Sequence, residues 1–551
     1  MSNYNIQRFQ DIFGKNLTYI RGFLRNVEKF PDKPALIDTS HTRTWSYKEL
    51  NEEANLFAHA LLKDKVHKSD VVMYQLMNVP EFAFIYLGCQ KIGVINSPIN
   101  FRLSAGEIAY TIDDSKPAVF LFDISIEENV RYALKLSRHK PGRIISVGQG
   151  QCDFAISYDS YIKGQSVDEP MNPPQDAFAE VTRLYTSGTT GRPKGIPLNN
   201  INEVLTALNI IINLGLNKND ILMNLSPLFH RGGLHFGGPN PGLYIGATIA
   251  LIRRFYPKPA LEAIEKYRIT FIIGVPTMYK VMIEDQKKYH YNLSSLRGVV
   301  SMGSPLDRSL CIEMQQIFTP NIFNGYGTSE TFQNTLLIPE DLPQMAGTAG
   351  RAVFSDDVRV VKVYEDKLAE PDELVEKNNQ EVGEVIIRTL TCAYDYYNRP
   401  EETEKKFNKD WFYSGDLATW NEQGYITNEQ GYITIVSRKD DMIIEAGENI
   451  YPIQIEEVVQ EHPKVRYCAV VAVPDEERGQ VPVAYVVRKD DSLGVEELKK
   501  FISKHPMLPA YKRPRYWRFV DSLPITATGK TQHYKLREQA IDDLKKGLLL
   551  R

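Results

Sequence analysis

The chain has 551 residues, more than one ordinary hydrophobic core holds, so we expect at least two domains. Its formal net charge of -4 excludes a global attraction to nucleic acid or to an anionic membrane. Hydrophobic residues make up 43% and charged residues 24%, as in globular proteins, and the apolar runs fall short of the roughly 20 residues of a membrane helix. Five scattered cysteines without a C-x-x-C pair argue against zinc and against a disulfide framework. Without a leader pattern in residues 1–8, we expect a cytoplasmic protein with no transmembrane segment and no nucleic-acid partner.

Helical and strand patterns alternate along most of the chain. Apolar spacing predicts helices at 47–62, 81–92, 201–214, 259–267, 276–284 and 306–318. Strands are predicted at 71–76, 181–185, 249–252, 270–273, 298–301 and 322–323. Asn199 or Asn200 is the expected N-cap of the third helix. Strands alternating with helices of this length imply mostly parallel sheets covered by helices, so we predict an α/β fold with two βα-layered subdomains.

The pattern changes in the C-terminal part of the chain. From residue 382 shorter strands alternate with turns, as in a small barrel-like subdomain or an antiparallel sheet. Beyond residue 438 we predict helices at 453–461 and 495–504 and strands at 467–473, 483–487 and 517–520. The segment 438–551 is long enough for a small α+β domain, so we expect domains at 1–437 and 438–551. A six-residue segment at 422–427 recurs at 429–434, which we interpret as a lengthened hairpin because an odd shift reverses the faces of a strand.

The most informative stretch runs from Thr186 to Gly195, directly after a predicted strand. Its glycines tolerate positive φ and let backbone N–H groups turn towards a ligand. Its hydroxyl and cationic side chains add donors suited to a polyphosphate. No G-x-x-x-x-G-K-[ST] pattern occurs, so this is not a P-loop. Considered alone, the stretch could also be a mobile surface loop.

This decapeptide resembles the phosphate-binding signature of the adenylate-forming superfamily of acyl-CoA synthetases, peptide-synthetase adenylation domains and luciferases. Five further segments match that superfamily and are spread over much of the remaining chain. They are residues 227–235, 324–330, 411–417, 437–452 and 523–531.

Residues 324–330 contain an aromatic ring able to stack on a base, a hydroxyl, and a carboxylate able to hold Mg²⁺ beside phosphate oxygens. In isolation they would be a strand and a turn with a surface glutamate. The resemblance implies that Tyr326 lies on adenine, Ser329 contacts the α-phosphate and Glu330 binds the metal. Upstream, residues 301–305 resemble the segment that borders adenine and the acyl pocket.

Two segments around residue 430 carry further implied contacts. Asp416 follows an aromatic strand and a glycine; alone it would be a turn-capping residue, and the resemblance makes it the ribose ligand. Residues 437–452 resemble the inter-domain hinge, although their charges would also suit an exposed linker. The resemblance implies that Asp440 is the pivot, that Arg438 reaches the ribose or a phosphate, and that Gly447 lets pantetheine approach the backbone.

The last two segments concern the acid. Lys530, on a Thr/Gly loop where a lysine is usually only solvated, matches the superfamily's C-terminal catalytic lysine, a compact charge expected to bridge the carboxylate and the α-phosphate. Residues 227–235 resemble the gating segment beside the acyl site. We expect His230 at the gate and His235 to be a satisfied core group.

The resemblance implies three sets of site residues. The catalytic set is Lys530, Glu330, Lys194 and Asp440. The nucleotide- and coenzyme-binding set is Thr186, Ser187, Gly188, Thr189, Thr190, Gly191, Lys194, Gly303, Ser304, Pro305, Asn324, Gly325, Tyr326, Gly327, Thr328, Ser329, Asp416, Arg438 and Gly447. The substrate pocket is expected to include His230, Gly233, Val275, Met302 and Gly303.

The implied activity is that of an AMP-forming acyl-CoA synthetase, which uses ATP, Mg²⁺ and coenzyme A to activate a small carboxylic acid through an acyl adenylate. The segments 229–234 and 440–452 resemble those of aryl- and medium-chain acyl-CoA ligases. No acidic residue lies between Phe229 and Gly238 to pair an α-amine, which favours a non-amino acid. A stand-alone adenylation enzyme that loads a carrier protein and a non-catalytic nucleotide-binding regulator stay open, as does a homodimer, since relatives are often dimers.

Overall fold

The computed structural model describes residues 5–171, 176–187, 193–364, 367–422, 431–445, 448–475, 477–505, 508, 510–526 and 531–551. The chain divides into two compact units. Unit 1 comprises Met1–Asp357 and Arg388–Phe412, and unit 2 comprises Val358–Ile387 and Tyr413–Arg551. The boundary at residues 437/438 and the pivot at Asp440 stay predictions.

The helices of the described residues fall mostly in unit 1. They are α1 (Ile6–Asn16), α2 (Tyr19–Lys29), α3 (Tyr47–Lys63), α4 (Pro80–Lys91), α5 (Ala105–Ser115), α6 (Glu127–Leu136), α7 (Tyr158–Ile162), α8 (Asn200–Leu214), α9 (Arg231–His235), α10 (Pro239–Ile245), α11 (Pro257–Tyr267), α12 (Pro276–Tyr289), α13 (Arg308–Ile317), α14 (Pro400–Glu404), α15 (Pro452–Gln460), α16 (Val495–Ser503) and α17 (His533–Lys545).

The strands occur in both units. They are β1 (Pro34–Asp38), β2 (Arg43–Ser46), β3 (Val71–Gln75), β4 (Ile95–Pro98), β5 (Val119–Asp123), β6 (Arg143–Val147), β7 (Ile156–Ser157), β8 (Glu180–Ser187), β9 (Pro193–Asn199), β10 (Ile221–Asn224), β11 (Thr248–Leu251), β12 (Phe271–Gly274), β13 (Gly298–Met302), β14 (Ile322–Thr328), β15 (Phe332–Leu337), β16 (Arg351–Ala352), β17 (Asp356–Val361), β18 (Gly383–Thr389), β19 (Phe407–Asn408), β20 (Trp411–Trp420), β21 (Ile433–Arg438), β22 (Ile443–Glu445), β23 (Glu448–Ile450), β24 (Val465–Asp475), β25 (Gly479–Arg488) and β26 (Tyr516–Phe519).

Unit 1 contains two α/β sheets. The first has the strand order β7-β6-β5-β3-β4-β8-β9, and the second the order β16-β15-β14-β13-β12-β10-β11-β1-β2. The central strands pair in parallel, from β6 to β8 in the first sheet and from β14 to β1 in the second. Parallel strands are covered on both faces, and β3, β5, β11, β12 and β13 are buried along their whole length. The predicted α/β fold is therefore confirmed.

Local signals explain where several helices begin and end. Ser46 and Ser104 each form a capping box with the glutamate three residues later. Asn199 caps α8, as predicted, because its side chain accepts from the N–H of residue 202. Asp307 caps α13, which therefore begins two residues after the predicted start. Helix α12 continues five residues beyond its predicted end at 284, with Lys287 and Lys288 in its last turn.

Unit 2 has two smaller sheets. In the first, β17, β18 and β20 are neighbours in that order and β21 pairs with β20; these include the short strands predicted from residue 382. The first residues of β17 and β20 and the last two of β18 belong to unit 1, where β19 pairs with the start of β20. The second sheet has the order β23-β22-β25-β24 with β26 on β25, flanked by α15 to α17. The neighbouring strands β23, β22, β25 and β24 pair antiparallel and only β26 joins in parallel, as is typical of the predicted α+β domain.

The repeat at 422–434 lies largely outside the described residues, which omit 423–430, so the lengthened hairpin stays a prediction. Within the parts of the chain that the structure describes, no helix has both the length and the hydropathy of a membrane span.

Candidate active site

The predicted phosphate-binding stretch is carried by an antiparallel hairpin of unit 1. Strands β8 and β9 pair in register, with Thr186 opposite Lys194 and Ser187 opposite Pro193. Thr186 and Lys194 therefore lie on strands, so strand β8 continues beyond its predicted end at 185 and the decapeptide is not a surface loop along its whole length. Residues 193–195, the last three of the decapeptide, are the first residues of β9 and pair with β8. Gly188, Thr189, Thr190 and Gly191 lie outside the described residues, as does the side chain of Ser187.

Lys194 is held by two side chains of the segment 393–404. Its ammonium group forms an ion pair with Glu402 on α14. The same Nζ lies 5.3 Å from the centroid of the Tyr396 ring. Only 12% of the lysine side chain is exposed, so both partners act in a partly desolvated setting. The predicted phosphate lysine is thus already placed next to a carboxylate and an aromatic face.

Glu330 lies in the turn between β14 and β15, at the end of the predicted segment 324–330. The Tyr396 hydroxyl donates to Glu330 Oε1 at 2.7 Å. The backbone carbonyl of Glu330 accepts from the N–H of Ala393 at 2.9 Å. Glu330 and Lys194, which the sequence assigned to the metal and to phosphate, therefore both contact Tyr396.

Arg231 binds the backbone of the same turn, and the sequence analysis did not identify this residue. Its guanidinium donates to the carbonyls of Ser329 at 2.6 Å, Glu330 at 2.9 Å and Thr391 at 2.7 Å. The residue is buried, and this burial lowers the pKa of Arg231 to about 10. The available signal was an arginine in the stretch 227–236, which otherwise holds apolar residues, glycines and two histidines, because a charge there needs buried partners.

A second buried group lies next to this turn. Asp356 accepts hydrogen bonds from Asn334 at 2.7 Å, from the Thr389 hydroxyl at 2.7 Å and from the Ser355 hydroxyl at 2.8 Å. Burial raises the pKa of Asp356 to about 6. Asn334 also bonds to the backbone of Thr331, the residue after Glu330. Asp356 is therefore part of the framework under the predicted metal carboxylate.

Two glycines of the predicted site are required by close backbone packing. A Cβ on Gly327 would lie 1.5 Å from the carbonyl oxygen of Phe332, across a bulge in the β14–β15 pair. A Cβ on Gly233 would lie 1.9 Å from the carbonyl oxygen of Pro227. Both positions need glycine whether or not a ligand is bound.

The predicted gate residues lie around α9. His230 caps this short helix, and its Nδ1 accepts from the N–H of Gly232 at 3.0 Å. Met302 is buried at the end of β13, and its thioether would be within about 3 Å of a Cβ on Gly232. Val275 is buried as the N-cap of α12. The structure thus brings Met302 next to the segment of His230.

The expected core position of His235 is confirmed, although its buried Nδ1 has no hydrogen-bond partner among the described residues. His235 is fully buried, with Nε2 at 3.1 Å from Glu203 Oε2. The Tyr86 hydroxyl and the Asn240 amide donate to the same oxygen at 2.6 Å and 2.7 Å. These hydrogen bonds explain how the core holds the buried carboxylate of Glu203, and no catalytic role is needed to explain it.

Unit 2 brings together two residues predicted to bind the ribose. Asp416 on β20 lies opposite Arg438 on β21, and the guanidinium donates to Asp416 Oδ1 at 2.7 Å. Glu384 accepts from the N–H of Gly415 at 3.0 Å and from Lys439 at 3.4 Å, and sequence reasoning missed it. Glu384 therefore contacts the residue before Asp416 and the residue after Arg438.

The hinge segment is partly described. Arg537 on α17 donates to the carbonyl of Asp440 at 2.9 Å and to Asp441 Oδ1 at 2.7 Å. Burial raises the pKa of Asp441. Gly447 and Lys530 lie outside the described residues.

Family comparisons agree with the resemblance seen in the motifs. A family model described as AMP-binding enzyme matches residues 23–397, and one described as AMP-binding enzyme C-terminal domain matches residues 454–530. A feruloyl-CoA synthase of Amycolatopsis sp is 31% identical over 90% of this chain and 94% of its own. A medium-chain fatty-acid–CoA ligase of Escherichia coli (strain K12) is 29% identical over 93% and 89%.

Solved structures give the same result. An anthranilate CoA ligase in complex with anthranoyl-AMP superimposes with a TM-score of 0.84 at 26% identity and covers 96% of this chain and 98% of its own. The o-succinylbenzoate CoA synthetase of Bacillus subtilis in complex with its acyl-adenylate intermediate has a TM-score of 0.80 at 27% identity, over 94% and 97%. The chain belongs to the AMP-binding enzyme family and is an AMP-forming acid–CoA ligase.

Proposed function

We propose that the protein activates an apolar acid, either a medium-chain fatty acid or an aryl acid, with ATP and transfers the acyl group to coenzyme A. The observation that carries this proposal is the contact of Glu330 and Lys194 with one ring, Tyr396, at the base of the Gly/Thr-rich hairpin. A carboxylate and an ammonium held together in this way suit a metal–triphosphate complex.

The donor set fits Mg²⁺. This cation prefers oxygen ligands and is usually held by one or two carboxylates together with substrate phosphates. Glu330 offers such a carboxylate, and only its Oε1 is used by Tyr396. When bound, Mg²⁺ neutralises charge on the phosphates.

In the first half-reaction, the carboxylate of the acid attacks the α-phosphorus of ATP, and pyrophosphate leaves. Two anions must approach each other, so the ammonium groups of Lys194 and Lys530 reduce their repulsion, while donors from residues 186–190 hold the leaving pyrophosphate.

Asp416 and Arg438 are proposed to hold the ribose. Arg438 donates to Asp416 Oδ1, so ribose hydroxyls bound there would share or replace that hydrogen bond.

In the second half-reaction, the thiol of coenzyme A attacks the acyl carbon, and AMP leaves. Lys530 has to move away and Gly447 has to approach the adenylate. We therefore propose that residues 438–551 rotate about Asp440 between the two half-reactions.

The surroundings of the gate segment support an apolar acid. Val275 and Met302 are apolar, and both Nη groups of Arg231 donate to backbone carbonyls. The stretch 229–238 offers no carboxylate for an α-amine. Relatives named for feruloyl-CoA and for medium-chain fatty acids support an acid whose acyl group is apolar and carries no further charge.

Acid-dependent exchange between ATP and pyrophosphate tests the first half-reaction. We expect exchange with medium-chain fatty acids or cinnamic-type aryl acids and none with amino acids. Exchange that requires an amino acid, or no exchange with any acid, would contradict the proposal. Thioester formation is then compared with coenzyme A and with a carrier protein as acceptor, and preference for the carrier would replace coenzyme A in the scheme.

The Lys530→Ala variant separates the half-reactions. We expect it to lose exchange and to retain thioester formation from supplied acyl-AMP. Equal loss of both activities would contradict the assigned role of Lys530.

A further inference from the structure

The segment 393–404 matches none of the motifs identified in the sequence, yet it contacts both charged groups of the proposed triphosphate site. Its Tyr396 hydroxyl bonds to Glu330, and its ring faces the ammonium of Lys194. Its Glu402 is the counter-ion of that lysine. One short segment therefore contacts the metal carboxylate and the phosphate lysine at once.

The backbone of this segment is fastened to the same hairpin that carries Lys194. The N–H of Tyr397 donates to the carbonyl of Gly195 at 2.9 Å. Arg399 donates to Asp114 at 2.7 Å. The Tyr396 side chain is therefore presented from a fixed backbone position.

The Tyr396 ring itself is well packed. It is 5% exposed and belongs to a hydrophobic cluster with Leu184, Ile196 and Leu198 of the hairpin strands. Its edge also contacts the ring of Phe407, with centroids 5.9 Å apart. Because the ring cannot move freely, its hydroxyl fixes the position of whatever it bonds to, which is Glu330 Oε1.

We propose that Tyr396 is a positioning residue for adenylation. Its hydroxyl holds the Glu330 carboxylate so that Oε2 is directed to Mg²⁺, and its ring keeps the ammonium of Lys194 beside the phosphates. This proposal rests on the proposed function, because it takes Glu330 as the metal carboxylate. A hydrogen bond that fixes one carboxylate oxygen lowers the conformational entropy lost when the other oxygen binds the cation.

A neighbouring tyrosine provides the matched control. The Tyr394 hydroxyl donates to the backbone carbonyl of Thr389 at 2.8 Å. Phenylalanine at 394 or at 396 removes one hydroxyl from the same segment and keeps the ring. Only the change at 396 removes a hydrogen bond to Glu330.

The test measures ATP binding by calorimetry at a series of Mg²⁺ concentrations for the wild type, Tyr396→Phe and Tyr394→Phe. We expect Tyr396→Phe to raise the Mg²⁺ concentration for half-maximal enhancement of ATP affinity by about tenfold, as for one hydrogen bond to a charged group. ATP affinity without Mg²⁺ should change less than about twofold, and Tyr394→Phe should behave as the wild type.

A background variant distinguishes positioning from general damage. In Glu330→Gln, the further change Tyr396→Phe should have no additional effect on the Mg²⁺ dependence, since the two groups act as one unit. Equal weakening of ATP binding with and without Mg²⁺, or an unchanged Mg²⁺ dependence in Tyr396→Phe, would overturn the proposal. A wild type whose ATP affinity is insensitive to Mg²⁺ would overturn it as well.

The binding measurement needs no acid, so it is independent of the substrate. A wild type with Mg²⁺-dependent ATP binding but no acid-dependent pyrophosphate exchange would refute the proposed function alone. The role of Tyr396 would then be decided by its own variants.

Discussion

Replacing Asp356 with asparagine should change the pH dependence of stability in a defined direction. Burial raises the pKa of Asp356 from 3.8 to about 6. Between these values the folded protein keeps a proton that the unfolded chain has released, so this carboxyl makes the fold less stable as pH rises. The full effect of a shift of about two units is about 3 kcal/mol, of which about 2 kcal/mol falls between pH 4.5 and 7.5.

Asparagine does not titrate, so the Asp356→Asn variant should gain stability relative to the wild type as pH rises. A unit of about 380 residues loses about 0.8 kcal/mol of stability per degree near its melting point. The melting temperature of the variant minus that of the wild type should therefore increase by about 2 to 3 °C from pH 4.5 to 7.5. Asparagine lacks one carboxylate oxygen of Asp356. Any hydrogen bond lost with that oxygen shifts the melting-temperature difference by the same amount at every pH.

Differential scanning calorimetry of both proteins across this range provides the measurement. Asp357→Asn is the control, because the neighbouring carboxylate is about half exposed and pairs with Arg388 at the surface. The melting temperature of Asp357→Asn minus that of the wild type should not show the same increase from pH 4.5 to 7.5. A melting-temperature difference for Asp356→Asn that stays constant from pH 4.5 to 7.5 would refute the reasoning.

Three further substitutions probe the site. Arg231→Met should lower the melting temperature of unit 1 by about 3 to 5 °C in calorimetry, because it leaves three backbone carbonyls without their buried guanidinium donor, at about 1 kcal/mol each; an unchanged melt would contradict this. Glu402→Gln should tighten ATP binding about two- to fivefold in titration calorimetry, since ATP no longer competes with a carboxylate for the phosphate lysine; weaker binding would show that Glu402 supports the bound state. Gly327→Ala should abolish pyrophosphate exchange, since its methyl group would meet the Phe332 carbonyl at 1.5 Å, whereas Gly106→Ala, with open space around it, should remain active.

Sequence reasoning predicted the elements whose signals are local. Strand β3 is a short apolar run, and α8 begins at the asparagine that caps it. Helix α17 was missed because most of its residues are polar. Its Leu536 and Ala540 nevertheless pack on a cluster of valines from β24 and β25. That burial depends on a tertiary partner, which periodicity in a polar stretch reveals poorly.

The same distinction applies to the site. Glu330, Asp416 and Arg438 were predicted because each stands in a recognisable segment, and their roles stay predictions. The contact of Tyr396 with Glu330 joins residues 66 positions apart, and only the folded chain brings them together. Arg231 was overlooked for a similar reason, because its partners are backbone carbonyls that have no sequence signature.

The path of the chain through β17, β18 and β20 bears on how hybrid enzymes could be assembled from this protein and its relatives. A splice at residue 413 would cut β20 in its third position and exchange only part of a strand. A splice after Arg438 falls at the end of β21 and transfers α15 to α17 with their own sheet intact. The second junction is therefore the one at which C-terminal parts can be swapped without breaking a hydrogen-bonded strand.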